Sequence, residues 1–250
     1  MCRGVFALVF LLALAAGHGS RAQDSSVLIR LRNSCSFSVW AAWTTDPGVS
    51  NPFSSGTELS ADETFSLFVP RDWSGRFWGR TGCSWRQAPG SSTSRFICDT
   101  GDCGSGDISC SKRGTPPATI AQLNLPARYS VSLLEGYNLA ISIAPRNSSC
   151  SWAGCKSGSD ANSGCPKELA VVDKSNIGRV IACKSPCLGL NEDQYCCRGR
   201  YTCPLKCSPS QYARAFKAAC PRSSTYPCEA NTSSYSCLGA SEIIATFCPP

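Results

Sequence analysis

Cysteine content constrains this chain more than any other feature. The 250 residues include 19 cysteines and a single histidine. Cys2 lies in an apolar N-terminal segment, so eighteen cysteines, an even number, remain for the mature protein. This density is typical of an extracellular domain held together by disulfide bonds. His18 lies in the same segment, so we expect no Ser-His-Asp or Cys-His catalytic arrangement in the mature protein.

Residues 1–22 have the features of a secretory signal peptide. Arg3 precedes an unbroken apolar run of twelve residues. A helix of that length rises only about 18 Å, short of the ~30 Å hydrocarbon core of a bilayer, which argues against a membrane anchor. The small residues that follow predict cleavage after Ala22, with cleavage after Gly17 or Gly19 as alternatives. We therefore predict a secreted, extracellular protein.

The charge of the mature chain is mildly basic. Without Arg3 and Arg21 it has 22 basic and 17 acidic residues, a net charge of +5. No run of lysine and arginine exceeds two residues. This pattern is typical of a solvated surface, so we predict no nucleic-acid partner.

Metal binding is the alternative explanation for so many cysteines. The spacings Cys183-x3-Cys187 and Cys203-x3-Cys207 superficially resemble ligand pairs. The adjacent pair Cys196-Cys197 fits a single zinc site poorly, and the secretory route is oxidising. We predict no metal and no cofactor, and nine disulfide bonds instead.

The first half of the mature chain alternates apolar and polar residues, which predicts β-strands. The clearest runs there are Val27–Arg32, Phe37–Ala41 and Phe65–Val69. A further run near the C-terminus, Ser241–Phe247, predicts a last strand. Two further runs, Tyr129–Leu133 and Tyr137–Ile143, flank Glu135-Gly136 and predict a hairpin. Short strands between turns rich in glycine, proline and serine indicate a sandwich or barrel.

The alternation is lost between Ser157 and Cys220, where cysteines crowd together. One helix is predicted, with Ser208 as N-cap, Pro209 in the first turn and Gln211 completing a capping box. Its predicted apolar face comprises Tyr212, Ala215, Phe216 and Ala219. A shorter helix is predicted near residues 181–188. We therefore expect a β core followed by a disulfide-stapled, partly helical lobe, with the last strand returning to the core.

Without histidine, the chemistry that remains for an enzyme is carboxylate catalysis, as in glycoside hydrolysis. The acidic residues considered are Asp99, Asp102, Asp107, Glu135, Glu192, Asp193 and Glu229. We interpret the three aspartates of the cysteine-rich loop as turn-forming residues, and spacing alone identifies no acid/base pair. Two sequons, at Asn147 and Asn231, are candidate glycosylation sites in exposed loops.

Several short motifs follow one another in a recognisable order. The longest begins Cys98-Asp99-Thr100-Gly101-Asp102-Cys103-Gly104-Ser105-Gly106 and continues to Cys110. The others are Asn33-x-Cys35, Val39-Trp40-Ala41-Ala42, Trp78-Gly79-Arg80-Thr81-x-Cys83, Gln194-Tyr195-Cys196-Cys197, Ala219-Cys220-Pro221 and Phe247-Cys248-Pro249. With these motifs nearly the whole mature chain resembles the thaumatin-like family, the fifth class of plant pathogenesis-related proteins. Ser94 stands where a glycine is usual in the family.

The resemblance implies a mainly β fold over residues 23–250. Its core is a flattened antiparallel β-sandwich, approximately residues 23–80, 118–156 and 221–250. A small looped module, approximately 81–117, and a disulfide-rich lobe, approximately 157–220, pack on the two sides of the core. The resemblance also implies a cleft between the core and the lobe.

The resemblance further implies specific disulfide pairings. They are Cys35–Cys248, Cys83–Cys98, Cys103–Cys110, Cys150–Cys237, Cys155–Cys220, Cys165–Cys183, Cys187–Cys196 and Cys197–Cys207. Cys207 is matched to the family pattern in preference to Cys203 because it lies thirteen residues before Cys220. Cys203 and Cys228 are then extra, and we predict that they form a ninth bond.

Antifungal members of the family carry a cleft with one arginine, one glutamate and three aspartates. The matching positions in this chain are Arg80, Gln122, Ser130, Glu135 and Glu229. Glutamine and serine can hydrogen-bond sugar hydroxyls but cannot act as a general acid or nucleophile at neutral pH. This comparison favours glycan binding over hydrolysis.

The expected function is therefore that of a monomeric defence protein secreted into the plant apoplast. Its expected partner is fungal β-1,3-glucan or another cell-wall glycan, with a fungal membrane or receptor as alternatives. A weak endo-β-1,3-glucanase is a second hypothesis. A third is a role outside defence, such as a sweet-taste-like, stress-related, ice-binding or protein-interaction role.

Overall fold

The structure is a computed structural model that describes residues 26–49, 55–87, 90, 92–126, 128–146, 149–229 and 232–250. The predicted signal peptide, residues 1–22, lies outside the described residues. The same holds for the asparagines of both sequons, Asn147 and Asn231. Within the described ranges, no helix is long and apolar enough to cross a membrane.

The described part of the chain is built mainly from short strands. They are β1 (Ser26–Asn33), β2 (Val39–Thr45), β3 (Gly56–Leu59), β4 (Thr64–Pro70), β5 (Ser74–Arg80), β6 (Ser84–Gln87), β7 (Ser94–Ile97), β8 (Ile120–Asn124), β9 (Arg128–Ser132), β10 (Ile141–Pro145), β11 (Ala153–Gly154), β12 (Ala170–Val172), β13 (Val180–Cys183), β14 (Ser234–Ser236) and β15 (Glu242–Phe247). The helices are α1 (Pro186–Leu190), α2 (Asp193–Cys196), α3 (Gln211–Ala219) and a 3-10 turn at Pro227–Glu229.

Two sheets form the core. One has the order β11-β10-β15-β1-β4 and the other has the order β14-β9-β8-β5-β2-β3. The alternating side chains of β1 illustrate the packing, because Ile29 and Leu31 are fully buried while Leu28 and Arg30 are half-buried. Side chains of the second sheet, such as Phe77 and Val131, belong to the same apolar cluster. The predicted β-sandwich is thus confirmed.

One pair of strands departs from the antiparallel arrangement. β1 and β15 run parallel, with Ile29 opposite Ile243, whereas the six-stranded sheet is antiparallel throughout. Cys35 follows the end of β1, and Cys248 follows the end of β15. Because parallel strands end at the same edge of a sheet, these two cysteines meet in a disulfide bond.

The hairpin predicted around Glu135-Gly136 is wrong. β9 belongs to the six-stranded sheet and β10 to the five-stranded sheet, so the chain crosses from one sheet to the other. The crossing segment pairs with the lobe instead. Tyr137 donates its N–H to the carbonyl of Cys183 at 2.8 Å and accepts a 2.7 Å hydrogen bond from the Cys183 N–H. This long-range pairing has no signature in the local alternation.

The main helix of the lobe begins two residues later than predicted. Ser210, not Ser208, is the N-cap of α3, and its Oγ accepts a 3.1 Å hydrogen bond from the Ala213 N–H. Phe216 is buried as predicted, but Ala215 is exposed. Because the Ser210 hydroxyl satisfies a free N–H of the first turn, the helix starts after Ser210, and Ser208 and Pro209 lie outside it.

The second helix prediction, near residues 181–188, is partly wrong. Residues 180–183 form β13, which pairs with β12. The helix α1 starts only at Pro186, and the Oγ of its N-cap Ser185 accepts a 3.2 Å hydrogen bond from the Leu188 N–H. Val180 forms a strand because it pairs with Val172, while Ile181 lies at a register shift and its carbonyl accepts a 3.3 Å hydrogen bond from Asn162 Nδ2.

Nine disulfide bonds pair all eighteen cysteines from Cys35 to Cys248. Every predicted pairing is confirmed, including the extra bond Cys203–Cys228. Within the looped module, the Asp102 carboxylate accepts hydrogen bonds from the N–H groups of Cys98 and Gly104, both at 2.6 Å. Asp102 therefore stabilises a turn between disulfide bonds, as its position in the sequence predicted.

Candidate functional site

Three neighbouring strands of the six-stranded sheet place polar side chains in one row. The strand register sets Arg76 opposite Gln122, and Gln122 opposite Ser130. All three side chains are half-buried, whereas the residues that follow Arg76 and Gln122, Phe77 and Leu123, are buried in the core. Because successive side chains of a strand point to opposite faces, this polar row lies on the outer face of the sheet.

Glu135 lies next to this polar row. It follows β9 and precedes Gly136, whose positive φ of 94° forms the turn. Glu135 Oε1 lies 3.7 Å from Nη1 of Arg76 and 4.0 Å from Nη1 of Arg113. Arg76 therefore links two of the predicted site residues. It lies opposite Gln122 in the sheet and forms an ion pair with Glu135.

The prediction that Arg80 lines the cleft is wrong. Its side chain is 1% exposed, and its guanidinium donates hydrogen bonds to the carbonyls of Ile108 at 2.6 Å and Trp40 at 3.2 Å. Its Cζ lies 5.5 Å from the centroid of the Phe96 ring. Burial lowers the pKa of Arg80 to about 10, and the charge of Asp102 opposes this shift. Arg80 is a structural residue that anchors the looped module.

The looped module explains why two arginines of one strand have different roles. Arg76 and Arg80 lie on the same face of β5, four residues apart. The module covers the Arg80 end of that face, where Trp78 Nε1 donates a 2.9 Å hydrogen bond to the Gly101 carbonyl. Trp78 also packs in a small apolar cluster with Cys103 and Cys110. Arg76 lies beyond this cover, so it is the arginine of the candidate site.

Glu229 lies at the edge of β9, at the end of the 3-10 turn. Its Oε2 accepts hydrogen bonds from the N–H and hydroxyl of Thr225, at 2.9 and 2.8 Å. Its Oε1 lies 3.1 Å from Nζ of Lys217 on α3. The neighbouring Ser224 pairs with β9, because its N–H donates to the Val131 carbonyl at 2.9 Å. Glu229 therefore connects the returning segment, the core sheet and the lobe.

The ion pairs of the site do not make it acidic. Three cations, Arg76, Arg113 and Lys217, contact two carboxylates, Glu135 and Glu229. These five groups carry one excess positive charge. The site therefore offers hydrogen-bond donors and acceptors to a polar ligand, and both of its carboxylates are already paired with cations.

The comparisons with known proteins place the chain in a family. The family model described as the Thaumatin family matches residues 33–249. The chain belongs to the thaumatin family.

Several plant proteins of this family are similar to it over most of their length. Thaumatin-like protein 1 of Pyrus pyrifolia is 42% identical over 225 residues, covering 87% of this chain and 88% of the relative. Pathogenesis-related protein 5 of Arabidopsis thaliana is 41% identical, with 97% of both chains covered. A Prunus avium protein named glucan endo-1,3-beta-glucosidase is 36% identical, covering 97% of this chain and 98% of the relative.

A separate cavity of about 370 Å³ lies between core, module and lobe of this thaumatin-family chain. It is lined by Phe37, Ser38, Trp40, Thr81, Gly82, Asn138, Leu139, Asn162, Arg179, Val180 and Ile181. None of the five predicted site residues lines this cavity. The predicted residues are instead distributed between the outer sheet face, the edge of β9 and the buried contact of Arg80.

Sequence reasoning missed Arg76 and Arg113. Arg76 could have been found from strand alternation, since it shares a face of β5 with Trp78 and Arg80. Arg113 follows the cysteine-rich loop and carries no periodic signal. Its position beside Glu135 depends on how the module packs on the core.

Proposed function

We propose that this protein is a secreted plant defence protein that binds cell-wall β-1,3-glucan at the polar row of Arg76, Gln122 and Ser130. The observation that carries the proposal is this row, which combines a guanidinium, an amide and a hydroxyl on three adjacent strands. The names of the relatives support the defence role and the glucan. Nine disulfide bonds are typical of a protein that works outside the cell.

The chemistry of the row suits a neutral polysaccharide. Sugar hydroxyls both donate and accept hydrogen bonds, and the side chains of glutamine and serine do the same. Arg76 and Arg113 supply further donors, and Glu135 supplies an acceptor beside them. The row runs across three strands of the outer sheet face, and such an extended surface matches an extended glycan chain better than a deep pocket does.

Binding fits the site better than hydrolysis. Glycosidases use two carboxyl groups about 5–9.5 Å apart, one of which delivers a proton. Here Glu135 faces two arginines, and Glu229 faces Lys217 and Thr225. Gln122 and Ser130 occupy the remaining positions, and neither can replace a carboxylic acid.

Cosedimentation with insoluble β-1,3-glucan tests the proposal. We expect wild-type mature protein to be retained on the glucan and not on cellulose. Arg76→Gln and Gln122→Ala each remove hydrogen bonds to the ligand, so we expect about 3- to 10-fold weaker binding. Arg146→Gln is the matched control, because Arg146 pairs with Glu242 on the other sheet. Equal retention of all variants would contradict the site.

Two further measurements separate the alternatives. Release of reducing sugar from laminarin by wild type, and its loss in Glu135→Gln, would show that the protein is a glucanase. Dye leakage from vesicles of fungal lipid without glucan retention would favour the membrane as target. We expect neither result.

A further inference from the structure

Two disulfide bonds of the lobe are in contact with each other. Cys228 Sγ of the Cys203–Cys228 bond lies 3.6 Å from Cys197 Sγ of the Cys197–Cys207 bond. The sulfur atoms of Cys197, Cys203 and Cys228 all lie within 4.8 Å of one another. A thiolate released at Cys228 would therefore face a sulfur of a different disulfide bond at contact distance.

The four cysteines of these two disulfide bonds differ in their exposure to a thiol dissolved in the solvent. Cys203 is exposed, and so are the three residues that follow it, with Leu205 91% exposed. Cys207 is 4% exposed. Arg200 and Lys206, both exposed, flank Cys203 in the sequence and favour the approach of an anionic thiolate. External attack is therefore directed to the Cys203 sulfur.

We propose that Cys203 is a modification site for a low-molecular-mass thiol such as glutathione, and that the modification rearranges the neighbouring disulfide bond. The thiolate attacks Cys203 Sγ and forms a mixed disulfide, while the Cys203–Cys228 bond breaks and releases the Cys228 thiolate. That thiolate attacks Cys197 Sγ, forms a Cys197–Cys228 bond and releases the Cys207 thiolate, which takes a proton from solvent. Each step exchanges one S–S bond for another, so no oxidant is consumed.

The rearrangement alters the attachments of α3. In the oxidised protein, Cys197 at the end of α2 is bonded to Cys207, three residues before the N-cap Ser210. After exchange, Cys197 is bonded to Cys228, which neighbours Glu229, and the segment leading into α3 is released. The exchange therefore changes the covalent links of the lobe next to the ion pair between Lys217 of α3 and Glu229.

Disulfide mapping of the intact mature protein tests this proposal. The protein is incubated with reduced glutathione at about pH 8 without denaturant, then alkylated with N-ethylmaleimide and digested with trypsin. Cleavage after Arg198, Arg200, Lys206, Arg214 and Arg222 puts Cys197, Cys203, Cys207 and Cys228 on four separate peptides. We expect glutathione on Cys203, maleimide on Cys207, and the peptide ending at Arg198 linked to the peptide beginning at Ser223.

Two variants provide the controls. In Cys197→Ser/Cys207→Ser the second bond is absent, so we expect the maleimide to move from Cys207 to Cys228. In Cys203→Ser the Cys228 thiol is free from the start, so we expect the Cys197–Cys228 link without glutathione. Wild type with maleimide on Cys228 and an intact Cys197–Cys207 bond would overturn the exchange. First modification at any cysteine other than Cys203 would overturn the assignment of the site.

Discussion

The Nη2 atom of Arg80 donates a 2.6 Å hydrogen bond to the carbonyl oxygen of Ile108. A side chain at the end of β5 thereby holds the looped module against the core sheet. The same guanidinium donates to the Trp40 carbonyl on β2, so one buried cation connects three segments that are distant in sequence.

Replacement of Arg80 tests this structural role. Arg80→Ala removes a buried side chain and its donors to the half-buried carbonyls of Trp40 and Ile108, so we expect a loss of about 2–4 kcal/mol in the free energy of unfolding. Denaturant unfolding with the disulfide bonds intact measures it. Arg86→Ala is the control, because Arg86 pairs with Asp99 at an exposed position and its loss should cost about 0–1 kcal/mol. We also expect folded Arg80→Ala to be retained on glucan as well as wild type. Equal losses of stability in Arg80→Ala and Arg86→Ala would contradict the structural role of Arg80.

Substitution of Gly136 tests the turn that positions Glu135. A Cβ at Gly136 would lie 2.6 Å from Cβ of Pro117 and 2.7 Å from the Cys183 carbonyl oxygen, and φ is +94°. We expect Gly136→Ala to lower the free energy of unfolding by about 2–4 kcal/mol, since it combines a clash with a strained backbone. Gly158→Ala has a positive φ but no atom within 4 Å, so about 1 kcal/mol is expected there. Similar denaturation midpoints for the two variants would argue against the crowding at Gly136.

Glu242 makes the stability of the core sheet depend on pH. Burial raises the pKa of this carboxyl, but hydrogen bonds and charges from Arg30 and Arg146 outweigh it and lower the pKa below the ordinary 4.5. The folded state then binds the proton less tightly than the unfolded state. The stabilising contribution of Glu242 is therefore complete above the pKa that its carboxyl has in the unfolded chain. It is lost as the pH falls through the pKa of the carboxyl in the folded protein.

Denaturation midpoints at about pH 6 and about pH 3 check the Glu242 prediction. We expect Glu242→Gln to be less stable than wild type by about 0.5–1 kcal/mol at the higher pH, because Arg30 and Arg146 are partly exposed. The difference should shrink at the lower pH. A difference that stays constant, as in the exposed control Glu58→Gln, would count against the ion pairs of Glu242.

The contact between Lys217 and Glu229 is a measurable link between lobe and core. Glu229→Gln weakens the 3.1 Å ion pair with Lys217 and the hydrogen bonds from Thr225, so we expect a loss of about 1–2 kcal/mol. A double-mutant cycle with Lys217→Met should show a coupling of about 0.5–1 kcal/mol. Strict additivity of the two substitutions would mean that the ion pair does not contribute.

Local sequence patterns predicted the parts of the fold that local chemistry controls. The alternation of residues 27–32 corresponds to β1, and the C-terminal run corresponds to β15. The helix α3 was predicted with its start misplaced by two residues, because Ser210 and not Ser208 supplies the side-chain cap. The pattern around Glu135-Gly136 looked like a hairpin because both flanking segments are strands, although they belong to different sheets.

The sequence by itself determined that this is a cysteine-rich, histidine-poor chain, and the order of its motifs indicated the thaumatin family and the pairing of its cysteines. Tertiary structure alone decided that β1 and β15 are parallel, that Arg80 is buried while Arg76 contacts Glu135, and that Cys228 touches Cys197. The physical reason is the range of the interactions. Alternation and cysteine order are properties of the sequence itself. The burial of Arg80 under the looped module and the contact between two disulfide bonds arise only when distant segments pack together.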